Sequence, residues 1–331
     1  MLTLSRRGLL AGAALAPFAG KASLGEAMAQ AQSWPAGQTI KFTVPFPAGG
    51  STDAVARIVQ PGMQQRLGAT IIVENRPGGA SSIGAAAVAK SPPDGLNWLF
   101  VFDSHGVIPS LLPLTFDAKK DLDPVLLVGT APMVLACHPS KPYKTFADVL
   151  AAAKAAPDTL TFGSIGNGSL GHLTMILLQK KGGFSVKHVP YRGGGPALND
   201  AIGGHIDLVI TSVANMAAQL AAGTLRPLLQ TGEARLSNLA STQTMIEAGF
   251  KDFSANAWWG VFAPGGTPKP LVDRMTADLQ ATFRDERVSK TLIETQQIAL
   301  RLDGPDAFRK FYDNEVAVWG AVVRENAIKP D

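Results

Sequence analysis

Cysteine is almost missing from this chain. Cys137 is the one thiol in 331 residues, so no intramolecular disulfide can form and a cysteine-built metal centre is excluded. Its apolar neighbours Val134, Leu135 and Ala136 predict a buried, inert thiol rather than a nucleophile. Histidine is scarce too: His105, His138, His172, His188 and His205 show neither HxxxH nor HExxH spacing, so no metal site is expected. No run of Lys or Arg occurs, which argues against nucleic acid as a partner. Aromatic residues are only 7% of the chain. No apolar run reaches the roughly 20 residues of a membrane span.

The N-terminus carries an export signal. Arg6 and Arg7 precede an apolar run over residues 8–18, and small residues follow through Ala27, Met28 and Ala29, the layout of a cleaved leader over residues 1–29. Residues 5–10 approximate a twin-arginine signal, and the same arginines would serve the general secretory route. Cleavage after Ala29 would remove Arg6, Arg7, Lys21 and Glu26 and lower the formal charge from +4 to +2. The exported chain is then nearly neutral. It is long enough for two lobes of about 150 residues, each with its own core.

From residue 39 on, apolar strands alternate with helical periodicity. Strands are predicted at 40–44, 70–74 and 97–102, with helices over 53–67 and from Gly78 to about Lys90. This is a βαβαβ pattern with a parallel sheet, the mark of an α/β lobe. The second half repeats it, with strands at 160–164, 186–190, 206–211 and 225–230 and helices at 146–156, 172–181, 197–202 and 214–222. Pro196 suits the first helical position, where its missing N–H removes nothing. Asp121 and Asp123, ahead of Pro124, read as solvated loop residues. A strand at 257–262 is followed by helices over 269–282, 286–295 and 305–326. The stripe Phe308, Tyr312, Glu315, Trp319 and Val322 predicts that the last packs on a sheet. Crossings between lobes are expected near 130–138 and 255–262, giving lobe 1 as 36–133 with 260–331 and lobe 2 as 134–259.

Three glycine-rich turns open helices. Gly166, Gly168 and Gly171 have the GxGxxG spacing of a dinucleotide turn, which needs a preceding strand, a following helix and a ribose-binding acid about 20 residues on. The acid is missing: residues 187–191 read KHVPY. Ser164, Asn167 and Ser169 among these glycines suit a small anion better than a pyrophosphate, and either Asn167 or Ser169 can cap the helix. Residues 46–53, FPAGGSTD, and 191–196, YRGGGP, repeat the device. Each presents unpaired N–H groups and the positive end of a helix dipole. Asp53 reads first as an N-cap, with an ammonium acceptor as the alternative. Ser169 and His172 share a helical face, but no GxSxG elbow accompanies them. No catalytic signature is found. A nucleotide-dependent oxidoreductase built on the 166–171 turn is the competing reading.

Taken in order, 44–57 (VPFPAGGSTDAVAR), 73–79 (VENRPGG) leading to Ile83 and Gly84, 93–95 (PDG), 162–173 (FGSIGNGSLGHL), 188–198 (HVPYRGGGPAL), 203–208 (GGHIDL) and 260–270 (GVFAPGGTPKP) resemble the extracytoplasmic solute receptors of tripartite tricarboxylate transporters, the Bug family. The resemblance covers nearly all of the exported chain. It implies a two-lobed, type II-like periplasmic binding protein of the Venus flytrap kind, closing on a small carboxylate and delivering it to membrane permease subunits. No enzyme activity, cofactor or metal is implied, and the receptor is expected to act as a periplasmic monomer; a sensing role toward a signalling partner is a further alternative. The ligand positions it implies are Phe46, Ala48, Gly49, Gly50, Ser51, Thr52, Asp53, Ser104 and His105 on the first lobe. On the second they are Ser164, Gly166, Asn167, Gly168, Ser169, His172, Tyr191, Arg192, Gly193 and Thr211. Two segments depart from the family: 211–215 reads TSVAN where an Asp and a Pro are usual, and 239–243 reads LASTQ in place of a Pro-Asp-Val-Pro-Thr run.

Overall fold

A computed structural model describes residues 34, 35, 37–250 and 255–330. The leader expected over 1–29 lies outside the described residues. Strands β1 (Thr39–Val44), β2 (Thr70–Asn75) and β3 (Asn97–Phe102) pair in parallel through helices α1 (Ser51–Leu67) and α2 (Ser82–Ala89), as the alternation predicts. A short helix α3 (Ile108–Leu111) leads into β4 (Leu122–Cys137). The second lobe follows with α4 (Phe146–Ala155), β5 (Thr161–Ser164), α5 (Leu170–Gly182), β6 (Lys187–Pro190), α6 (Gly194–Ile202), β7 (Leu208–Ser212), α7 (Val213–Ala221) and β8 (Arg226–Gln230). Strand β9 (Asn256–Pro264), helices α8 (Lys269–Arg284) and α9 (Glu286–Gln296), strand β10 (Ala299–Asp303) and helix α10 (Pro305–Glu325) return to the first lobe.

The strand order is β2-β1-β3-β9-β4-β7-β5-β6, with β8 and β10 also on β4. Strand β4 is the spine. Its residues 122–132 pair antiparallel with β9, and its residues 133–136 pair antiparallel with β7. One strand thus belongs to both lobes. It lies where the sequence reading placed a loop followed by a crossing: Asp123 and Pro124 are in β4, and the Asp123 carboxylate accepts from Gly266 N at 2.9 Å. Pro124, Gly129 and Pro132 break its pattern, and both register shifts against β9 fall beside Pro124 and Gly129, as expected where a strand lacks an N–H or a side chain. Strand β9 joins the first sheet from Asn256 on, opposite Pro132, so Trp258 and Trp259 stand in the first lobe ahead of the boundary at residue 260.

Cores on both sides of β4 fill with Phe42, Trp98, Phe162, Phe146 and Phe283, and α10 lays Phe308, Tyr312 and Trp319 inward. Burial pushes the Cys137 thiol up, so the residue is the inert thiol its neighbours imply. Two local starts differ from expectation. Helix α2 begins after a tight turn in which Ala80 and Ser81 have φ of 50° and 90°. Helix α6 begins at Gly194, which makes Pro196 its third residue; the ring is still harmless there, because first-turn N–H groups have no intrahelical partner.

Candidate functional site

Between the lobes lies a cavity of about 420 Å³. Residues 46–52 and Phe102 form the first-lobe wall; Ile165, residues 192–196, Leu198 and Asn215 form the second. Both walls contain a helix start. Helix α1 has Gly50 at its N-cap and α6 has Gly193, and neither has a side-chain cap hydrogen bond. The first intrahelical bond of α1 runs from Ala54 N to Gly50 O, leaving the N–H groups of Ser51, Thr52 and Asp53 ahead of it. Pro196 has no N–H, so Gly194 and Gly195 carry the corresponding groups of α6. Two positive helix ends therefore meet at one cavity, from opposite lobes. Gly49 at φ 82° and Gly193 at φ 108° make the turns that bring them there, a conformation that costs other residues roughly 1–2 kcal/mol.

The first-lobe turn is wired from behind. Asp53 is buried at the third position of α1, and its carboxylate accepts from Gly49 N, Arg57 Nε and Asn75 Nδ2, each at 2.9 Å. Asp53 therefore reaches back to the turn instead of standing at the N-cap, and its oxygens are occupied away from the cavity. Burial alone would raise its carboxyl, but the hydrogen bonds from Arg57, Gly49 and Asn75 outweigh it and hold the group below the usual range. Ser51 Oγ donates to Gln296 Oε1 at 2.7 Å, tying the cavity rim to the end of α9. Phe46 and Phe102 meet edge to face at 6.3 Å and give the cavity an apolar patch. Among the described residues, Arg192 is the one charged side chain on the walls.

The 164–169 turn contributes differently. Its glycines and hydroxyls bind one another: Gly166 N donates to Ser164 Oγ, Ser169 N to Gly166 O, and Gly168 N to His172 Nδ1 at 3.0 Å. Ser169 is the N-cap of α5, its Oγ accepting from His172 N, so the capping reading of this turn holds. A Cβ on Gly168 would collide with Leu111 of the first lobe, and Ile165 is the residue of this turn that lines the cavity. His172 stacks on His188 at 3.9 Å and 10°, and His188 stacks on Phe162 at 4.7 Å. Burial, with His172 alongside, lowers His188 to about 3. A neutral His188 bonds Ser164 Oγ at 2.7 Å through Nε2. The rings are a prop beneath the turn.

The remaining candidates separate into wall, support and core. Phe46, Ala48, Gly49, Gly50, Ser51, Thr52, Arg192 and Gly193 line the cavity. Thr211 stands behind it, fully buried, its Oγ1 accepting from Asn215 Nδ2 at 2.9 Å. Tyr191 turns to Asp200 at 2.6 Å. Ser104 and His105 are buried in the first lobe, with the His105 ring between Phe262 and Tyr312; burial lowers it to about 3. Asp103 beside them is pushed well up by burial and by nearby Glu315. Phe102, Ile165, Leu198 and Asn215 are wall residues that the sequence reading does not select. The available signal was position alone, since Phe102 ends β3 and Asn215 lies in the first turn of α7.

Residues 55–328 match the family described as "Tripartite tricarboxylate transporter family receptor", TctC. Protein BugT of Bordetella pertussis (strain Tohama I) is 32% identical over 302 residues, covering 90% of this chain and 92% of that protein. Among solved structures, an R. palustris protein with adipate has a TM-score of 0.83 at 29% identity, covering 90% of this chain and 100% of the other. MatC from Rhodopseudomonas palustris with bound malate has a TM-score of 0.76 at 28% identity, covering 86% and 98%. The two solved structures share the two-lobed α/β fold of this chain. The chain belongs to the tripartite tricarboxylate transporter receptor family.

Proposed function

We propose that this chain is an extracytoplasmic receptor that encloses a small carboxylate between its lobes and presents it to the membrane subunits of a tripartite tricarboxylate-type transporter. The observation that carries the reading is the pair of uncapped helix starts, α1 and α6, meeting at one interlobe cavity. Each contributes backbone N–H donors and a positive dipole end, while among the described residues no carboxylate lines the walls to repel an anion. Hydrogen bonds to a charged acceptor contribute about 1.5–3 kcal/mol each, enough for firm capture without a cluster of cations. The adipate and malate carried by relatives support the same ligand class. The leader pattern read at residues 1–29 supports a periplasmic location, the compartment in which a receptor can meet both solute and permease.

A thermal-shift screen of carboxylates beside NAD and NADP tests this. A bound carboxylate at a hundredfold its dissociation constant adds about 2.7 kcal/mol to the native state and raises the unfolding midpoint. Stabilisation by the nucleotides alone would overturn the reading in favour of a nucleotide-dependent protein. Delivery is tested by uptake: deleting the receptor should abolish transport of the carboxylate identified, and unimpaired uptake would assign it a different role.

A further inference from the structure

A groove of about 810 Å³ lies on the first lobe and shares no lining residue with the interlobe cavity. Helix α1 lines it from Arg57 to Arg66 and α9 from Arg287 to Thr291, in each case at positions that repeat every four residues and so share a face. Its floor is close-packed: a Cβ on Gly62 would stand 2.7 Å from Thr282 Cγ2 of α8. Three guanidinium groups face one carboxylate among the lining residues. Arg66 and Arg287 are exposed, and neither side chain makes an ion pair or hydrogen bond among the described residues. Arg57 keeps Nε on Asp53 and Nη2 on Asn75, at 2.9 and 3.0 Å, which leaves Nη1. Asp285, the lining carboxylate, caps α9, its Oδ1 accepting from Arg287 N and Val288 N. All three cations are arginine, whose planar fork matches a carboxylate. Arg57 and Arg66 stand roughly 13 Å apart along the axis of α1, the reach of about four extended residues and too far for one small anion. The same two helices also reach the interlobe cavity. The start of α1 is its wall, and at the end of α9 Gln296 accepts from Ser51 on the rim and Gln297 from Asn238 of the second lobe, at 2.7 and 2.9 Å.

We propose that this arginine groove is the docking surface for an acidic segment of the transporter's membrane subunits. The proposal rests on the delivery reading above and adds the place and the chemistry of the contact. Asp or Glu side chains spaced along an extended segment pair with Arg57, Arg66 and Arg287, while its apolar side chains cover Ile58, Pro61 and Val288. Exposed charge pairs of this kind set the rate of encounter and the register of a complex more than its affinity, which suits a receptor that must leave after delivery. An occupant of the groove presses on α9, whose far end touches both lobes, so the fit of this surface depends on how the lobes stand.

Charge reversal at Arg66 and Arg287 tests it, since neither residue lines the interlobe cavity. Cells carrying the Arg66→Glu, Arg287→Glu receptor should take up the carboxylate found by the thermal-shift screen more than about tenfold more slowly than cells with the parent, while the purified variant binds it within about twofold of the parent. Its unfolding midpoint should be unchanged. Arg66→Lys with Arg287→Lys, which keeps both charges, should take up more than the glutamate pair. Should the glutamate pair not fold, Arg66→Gln with Arg287→Gln carries the same test. Normal uptake with the charge-reversed receptor overturns the proposal and leaves delivery intact. Carboxylate affinity that falls in step with uptake also overturns it, by placing the effect in the interlobe cavity. Binding of inorganic phosphate that the variant loses, with uptake unimpaired, would make the groove a small-anion site instead. Unimpaired uptake after deletion of the whole receptor would overturn the proposal together with the reading beneath it.

Discussion

Arg192 is exposed and stands without an ion pair among the described residues, whereas Thr52 is buried at the start of α1 with its N–H directed out of the helix. This contrast predicts that Arg192→Ala weakens carboxylate binding by less than about tenfold, as an exposed cation in water does. Thr52→Ala, which removes a hydroxyl from the wall, should weaken it by a similar factor or less. Calorimetry on both variants checks the prediction, and loss of all binding in Arg192→Ala alone would identify a cation clamp. The donors at residues 49–52 and 192–195 are legible in the sequence because glycines and hydroxyls before a helix are a local pattern. Phe102, Ile165 and Asn215 are not, because they reach the wall only when two lobes distant in the chain come together. Asp53 shows the limit of the local rule: it is a preferred capping residue, yet three partners, two of them outside its own turn, draw it behind the turn.

The turn between β5 and α5 is held by a stack of rings as well as by the hydrogen bonds of its own residues. Phe162, His188 and His172 lie in series beneath it, and His188 bonds Ser164 while His172 accepts from Gly168. With its folded pKa lowered from 6.5 to about 3 by burial and by His172, His188 stays neutral over a range in which the unfolded chain takes up a proton. The stability gained from the neutral ring is full above pH 6.5 and is lost as pH falls through the window toward 3, by up to about 1.4 kcal/mol per pH unit. His105 acts in the same sense, and the buried acids Asp103 and Glu315, whose carboxyls are pushed up, act in the opposite one. His188→Phe keeps a ring in the stack and removes one titration, leaving the others in place. Urea unfolding at pH 8 and pH 5 should find the variant less stable than the parent at the higher pH, by about 1 kcal/mol for the lost hydrogen bond, and less sensitive to the change of pH. An equally steep loss would refute the account. At this scale the parallel βαβ elements were legible from periodicity. Strand β4 was obscured because prolines and a glycine interrupt it, and β10 because it is a short strand paired only along β4.

The molecule is two lobes that share a strand and touch again across the cleft. Gly168 sits against Leu111, and the end of α9 binds Ser51 of the first lobe through Gln296 and Asn238 of the second through Gln297. The alternation of strands and helices foretold two lobes and their two crossings; that β4 pairs continuously through both sheets depends on long-range pairing that no local window contains. Because the lobes are apposed, substitutions in the Gly166–Gly168 turn perturb packing as well as any ligand, and Gly168→Val would collide with Leu111. Gly195 is different. It lies on the cavity wall at the start of α6, without a positive φ, and an added Cβ would meet nothing within 4 Å. An added Cβ there neither strains the backbone nor meets a neighbour, so a valine at this lining position is expected to crowd the cavity while leaving the fold intact. Calorimetric titration of the parent and Gly195→Val proteins with the carboxylate that most stabilises the parent is therefore the most direct test of an anion held between uncapped helix ends. One molecule should bind per parent chain, and Gly195→Val should keep its unfolding midpoint while binding more than about tenfold more weakly; unchanged affinity in the variant would contradict the account.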